Sequence, residues 1–216
     1  LFQKKQPIVD KHSVFIGIHS SHSKSTSKEK NVFKDALDFN PHLISIDVSW
    51  EAFFPNTWTR KSIKEKSIPV IRWSPLYEHN EEEFAFTTIT EGLWDDYLIE
   101  WANEAKKFEF TLFINFTPGI YSKDYKWSIL QDPTVAQNYK KAFQYVVKLF
   151  KDEGAYNVLW IYECEVISTI KKDWIHPKLA YPGPEYTDWI AIRGENYGDT
   201  KAWSSWKNAE RLFGDS

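Results

Sequence analysis

Methionine is absent from all 216 residues, and cysteine occurs once, at Cys164. A single thiol forms no intrachain disulfide and supplies no cysteine-based zinc site; no metal or other cofactor is expected of the chain. The compartment stays open on that ground, since domains of this size also fold outside the cell without disulfides. With no methionine at its head, Leu1 does not read as a translation start, and the chain is expected to be a processed or trimmed product. No apolar run approaches the roughly 18–20 residues that span a bilayer, and no leader pattern opens the chain, so no membrane partner is expected. An excess of one charge sign is also missing: 27 Lys and Arg against 30 Asp and Glu leave −3, which excludes a global basic field for nucleic acid. Internal repeats, low-complexity tracts and linkers are lacking as well. Residues 1–216 therefore read as one domain with one core.

Aromatic rings are what the chain has in quantity: eleven Trp, eleven Tyr and fifteen Phe. Large rings are the main apolar payload of a core, and much of this set belongs there. A Trp-rich chain without strong net charge also has the composition of sugar-stacking proteins.

Apolar runs of strand length alternate with helical patterns. Strands are predicted at Ser13–Ser20, His42–Trp50, Ser67–Trp73, Phe110–Phe116, Asn157–Tyr162 and Trp189–Ile192. A short helix is expected over Asn31–Phe39 after a solvated loop at His22–Lys30. Over Glu91–Lys107, Trp94, Tyr97, Leu98, Trp101 and Ala105 share one helical face. The next helix has its start written into the chain, with Asp132 as cap and Pro133 at the first helical position. Val135, Tyr139, Ala142, Phe143, Val146 and Phe150 form its stripe, and Gly154 suits a left-handed end. Ala202–Phe213 also reads as helical. Strict alternation implies parallel strands joined by crossovers, hence an α/β fold.

The stretch from Gly154 to Gly198 carries the functional signal. Two buried strands end in carboxylates and rings, with YPGPEY in the loop between them. Sites of α/β barrels are built at such C-terminal strand ends. Glu163 and Glu165 at the fifth strand and Glu195 at the sixth are the candidate catalytic residues. Neighbouring strands about 4.8 Å apart are compatible with the ~5–5.5 Å or ~6.5–9.5 Å carboxyl separations of glycoside hydrolysis. The same acidic residues also suit a merely solvated loop mouth. Trp50, Trp73, Tyr162 and Tyr197 lie at or just beyond the ends of four strands and are read as stacking on pyranose rings. Trp50, Trp73, Glu163 and Glu195 are expected to open on one face. Trp94, Trp101 and Trp160 read as core. His19 and His22 lack an acidic partner nearby in sequence, which argues against a metal site.

Four segments carry a family resemblance: IPVIRWSP (Ile68–Pro75), ITEGLWDDYLIEWANEAKK (Ile89–Lys107), YKKAFQYVVKLFKDEGAYNVLWIY (Tyr139–Tyr162) and YPGPEYTDWIAIRGENYG (Tyr181–Gly198). In this order they resemble glycoside hydrolase family 26, β-mannanases and related β-glycanases folded as TIM-type (β/α)8 barrels. The likeness covers most of Ser13–Trp206. It implies a polysaccharide or oligosaccharide partner, a mannan-like or related β-linked glycan, and an extracellular or cell-surface setting. Trp127 corresponds to a family tryptophan near the cleft. The departures carry implications too. The family's fourth strand ends in His-Glu, the glutamate being the acid/base, and Thr117 and Pro118 stand at the matching place. Glu195 stands where the family keeps a tyrosine, and the nucleophile's seventh strand has no counterpart before Ser216. Six strand–helix units leave an eight-stranded barrel open, so a partner chain or a missing C-terminal segment is expected to complete it. Two functions remain open: a β-glycanase, or a non-catalytic pseudoenzyme barrel that binds glycan or scaffolds a glycan-handling assembly.

Overall fold

The computed structural model describes residues 7, 14–20, 35, 38–77, 85–122, 125, 127–130, 132–165 and 176–213. Six strands form a single parallel sheet in sequence order: β1 (Gly17–Ser20), β2 (Leu43–Trp50), β3 (Ile68–Tyr77), β4 (Leu112–Phe116), β5 (Val158–Glu165) and β6 (Trp189–Arg193). The helices between them are α1 (Asn56–Lys64), α2 (Phe86–Thr90), α3 (Asp95–Ala105), α4 (Pro133–Asp152), α5 (Pro177–Ala180) and α6 (Ala209–Phe213). The sheet is an open half of a TIM-type barrel, with β1 and β6 as edges among the described residues. The predicted α/β class with adjacent parallel strands is what forms.

Local signals account for the best-formed elements. At α4, Asp132 Oδ1 accepts from the Thr134 N–H at 2.7 Å, with Pro133 in the first turn. The helix hands over to β5 through Gly154 at φ +84°, a conformation that costs glycine nothing. Ala136, Tyr139, Phe143, Val146 and Phe150 are buried along its inner stripe. The predicted Glu91–Lys107 helix is shorter, running from Asp95 to Ala105. Gly92 at φ +79° separates it from the unanticipated α2, and Trp94 stands at the N-cap position of α3 instead of on its stripe. At the C-terminal end only Ala209–Phe213 is helical, and it buries no residue. The expected helix over 202–213 is corrected to that extent. Helix α1 was not anticipated, and the predicted 22–30 loop and most of the predicted 31–39 helix fall outside the described residues.

Two faces of the sheet divide the chemistry. Side chains alternate along each strand, and parallel register keeps partners on the same face. Ile44, Ile46, Val48 and Trp50 of β2, Ile71 and Trp73 of β3, Phe116 of β4, and Trp160 and Tyr162 of β5 belong to the core under the helices. There Trp73 is sandwiched between Trp50 (ring centroids 4.9 Å apart) and Trp101 of α3 (3.9 Å, planes within 5°). Its indole N–H donates to the Tyr97 hydroxyl, and that hydroxyl and the Trp101 indole N–H both donate to the Ala52 carbonyl, so Trp73, Tyr97 and Trp101 are packed with their polar groups satisfied. The opposite positions, Asp47, Arg72, Asn115, Glu163, Glu165 and Arg193, line the concave face.

Candidate functional site

The concave face carries a chain of hydrogen bonds and ion pairs that reaches across five strands. It begins at β1, where His19 Nδ1 lies 3.0 Å from Ser45 Oγ and Nε2 lies 3.2 Å from Asp47 Oδ2. Arg72 on β3 donates from Nε to Asp47 Oδ1 at 2.9 Å and from Nη1 to Glu163 Oε2 at 3.1 Å. Glu163 also accepts from Asn115 Nδ2 at 2.6 Å and from the Gly119 N–H at 3.0 Å. A carboxylate that is almost fully buried thus faces three donors, two of them from the strand and turn beside it. The acidic partner for His19, absent from its sequence neighbourhood, is supplied across the sheet by Asp47. Among the described residues no cluster of three or more His, Cys, Asp or Glu is placed to hold a metal ion.

The turn that follows β4 is built around Glu163. Thr117 is fully buried in a left-handed conformation (φ +58°), unusual for a β-branched residue, and its N–H donates to the Trp73 carbonyl at 2.8 Å. Two residues on, Gly119 sits at φ +78° with the Tyr125 ring so close that an added Cβ would lie 2.6 Å from it. Only glycine brings the backbone N–H to Glu163 under that ring.

A second charged group occupies the mouth at β6. Arg193 donates from Nη2 to Glu195 Oε1 at 2.6 Å and lies 3.8 Å from Glu165. The Tyr197 hydroxyl donates to the other Glu195 oxygen. All three sequence-predicted carboxylates therefore share the concave side. Strand β5 runs to Glu165, so Glu163 and Glu165 are strand residues and not the start of a loop.

The aromatic set is largely corrected. Trp50 and Trp73 have no exposed surface and lie on the helix side, opposite Glu163, because each sits one residue out of phase with the inward positions. Tyr162, also on the helix side, is 2% exposed, and its hydroxyl is committed to Tyr121 and to the Pro177 carbonyl, each at 2.7 Å. Trp127 is buried and stacked on Tyr125 at 4.4 Å. Burial withholds these four rings from a substrate in solution. Of the five predicted stacking residues only Tyr197 is exposed. Neighbouring Cys164 faces the helices, and burial pushes its thiol up, away from nucleophile chemistry. Asp47, Arg72, Asn115 and Arg193 were missed in the sequence. Their signal was strand parity, since a polar residue inside an apolar strand must face the other side.

These features define a class: a half-barrel with the architecture of glycoside hydrolase family 26 barrels. The chain is similar to the GH26 domain of an endo-β-mannanase/endo-β-glucanase from Prevotella bryantii, with a TM-score of 0.60 and 13% identity over 82% of this chain and 66% of that one. A GH26 β-mannanase from Bacteroides ovatus aligns with a TM-score of 0.51 and 12% identity over 72% and 54% of the two chains. At such identities the likeness is one of fold. In sequence, the chain is 27% identical over 175 residues to Endoglucanase H of Acetivibrio thermocellus, covering 77% of this chain. It spans 18% of that relative's length. No family model matches the chain.

Proposed function

We propose that this protein engages a β-linked polysaccharide, mannan-like or a related β-glycan, on the concave face and mouth of its half-barrel, and that it does so without hydrolysing it. One observation carries the reading: Asp47 and Arg72, held from behind by buried Glu163, and the group Arg193–Glu195–Tyr197 lie on the face and strand ends where barrels hold their ligands. Such a row offers both donors and acceptors to the hydroxyl groups of a neutral sugar. The architecture shared with β-mannanases and the sequence relationship to an endoglucanase support a glycan as the occupant.

Hydrolysis needs a positioned proton donor, and the β4 turn provides Thr117, Pro118 and Gly119 where the resemblance expects an acid/base glutamate. The carboxylates that are present pair with Arg72 or Arg193. A hydrolytic reading would rest on Glu195, which is exposed and hydrogen-bonded to Tyr197.

Calorimetric titration with manno- and gluco-oligosaccharides, run beside a reducing-end assay on β-mannan and β-glucan, separates the readings. Binding without release of reducing ends is the expected outcome. Sustained release abolished by Glu163→Gln, Glu165→Gln or Glu195→Gln would establish the enzyme instead. The absence of binding to either sugar series would end the glycan reading.

A further inference from the structure

Two adjacent residues of β5 are tied to one turn from opposite faces of the sheet. On the concave side, Glu163 Oε1 accepts from the Gly119 N–H at 3.0 Å. On the helix side, the Tyr162 hydroxyl lies 2.7 Å from that of Tyr121, two residues further along the same turn. Both rings are buried, Tyr121 being 3% and Tyr162 2% exposed. Proton count gives the direction of that bond. A phenol has one proton to donate, and Tyr162 gives its own to the Pro177 carbonyl at 2.7 Å, so Tyr121 must donate to Tyr162. A chain of two buried hydroxyl donors thus runs from the turn through β5 to the start of α5.

The turn needs holding. Thr117 is fully buried at φ +58°, a conformation that a β-branched residue keeps only where its surroundings over-determine it. Backbone bonds fix the turn along its length: the Thr117 N–H donates to the Trp73 carbonyl, the Ser122 N–H to the Gly119 carbonyl and the Ile129 N–H to the Ile120 carbonyl. Its position against β5 is set by the two side-chain contacts, Glu163 on one face and Tyr162 on the other. Glu163 also receives Arg72 Nη1 at 3.1 Å, so a displacement of the turn is felt at the guanidinium. Arg72, Gly119, Tyr121, Tyr162 and Glu163 all lie on β3, β5 and the turn after β4, away from both edges of the sheet. We propose that Tyr121 is a positioning residue. From the helix side, without touching a ligand, it holds the Gly119 N–H on Glu163 and thereby the Arg72 guanidinium where the hydroxyl groups of a β-linked glycan meet it.

The ligand role of Tyr121 rests on the glycan reading above, and its test keeps the two apart. Tyr121→Phe fills the same space, and Tyr162 keeps its bond to Pro177, so no buried donor is left unpaired. In wild type and this variant, exchange of the Gly119 amide is followed by NMR beside that of Val146, a buried residue of α4. Mannohexaose and cellohexaose are titrated by calorimetry into both proteins and into Arg72→Ala. Gly119 should exchange at least about tenfold faster in Tyr121→Phe, with Val146 exchange and the urea midpoint nearly unchanged. Sugar affinity should fall about threefold or more, in the direction of Arg72→Ala. Equal acceleration at Gly119 and Val146 with a lowered midpoint would make Tyr121 a stabilising core residue only and refute the proposal. Unchanged Gly119 exchange would refute it too, as would full affinity in Tyr121→Phe where Arg72→Ala has lost binding. No binding by wild type would end the glycan reading and the ligand role with it, while Gly119 exchange still decides the clamp.

Discussion

At the scale of single residues, Glu163 decides how the concave face is held. Its carboxylate gathers donors from β3, β4 and the turn after β4, and the Arg72 partner is 91 positions away in sequence. Glu163→Ala would leave Asn115, Gly119 and Arg72 facing an empty site, and the expected loss is about 3 kcal/mol. Glu163→Gln keeps the shape and an acceptor oxygen and should lose less. Urea unfolding at constant m reads both, and an unchanged midpoint in the alanine variant would show that the network does not brace the sheet. The acidic character of this position was legible in the sequence. Its commitment to Arg72 was not, because nothing local records which residue arrives on the neighbouring strands.

At the scale of elements, period-two alternation sorts the rings. Trp73 and Arg72 are adjacent, so one faces helix α3 and the other the concave side. Trp73 does not end its strand as expected, because β3 runs on to Tyr77, and it faces the helices instead of the mouth. Trp73→Ala is therefore expected to act as a core deletion costing about 3–5 kcal/mol, since it removes a ring buried between Trp50 and Trp101. Thermal unfolding reads the loss, and a stable variant with specifically weakened sugar binding would restore Trp73 to the cleft. Helix α4 contrasts with the C-terminal segment. The cap at Asp132, the proline after it and the glycine at its end are local signals and were readable. The 202–213 segment opens with no such cap or proline, and only its last five described residues are helical.

At the scale of the whole molecule, buried phenols report the integrity of the fold. Burial pushes the hydroxyls of Tyr121, Tyr139 and Tyr162 up. In the unfolded chain they ionise near the ordinary value of about 10, while the native chain keeps its protons. Native protein then holds more protons than unfolded protein, so stability is intact below about pH 10 and falls as pH rises above it. Phenolate absorption from these three should appear only together with loss of circular dichroism; ionisation at about pH 10 in a folded chain would show that they are not buried. The order of the strands and their parallel sense were determined by the sequence itself, because alternating apolar runs and helical stripes admit little other than crossovers in one direction. The sequence likewise determined that carboxylates gather where β5 and β6 end. Tertiary structure alone decided which side of the sheet each residue meets, since a shift of one residue reverses the face. It placed Asp47, Arg72 and Glu163 in one row and moved Trp50 and Trp73 into the core, because these outcomes depend on contacts between segments distant along the chain.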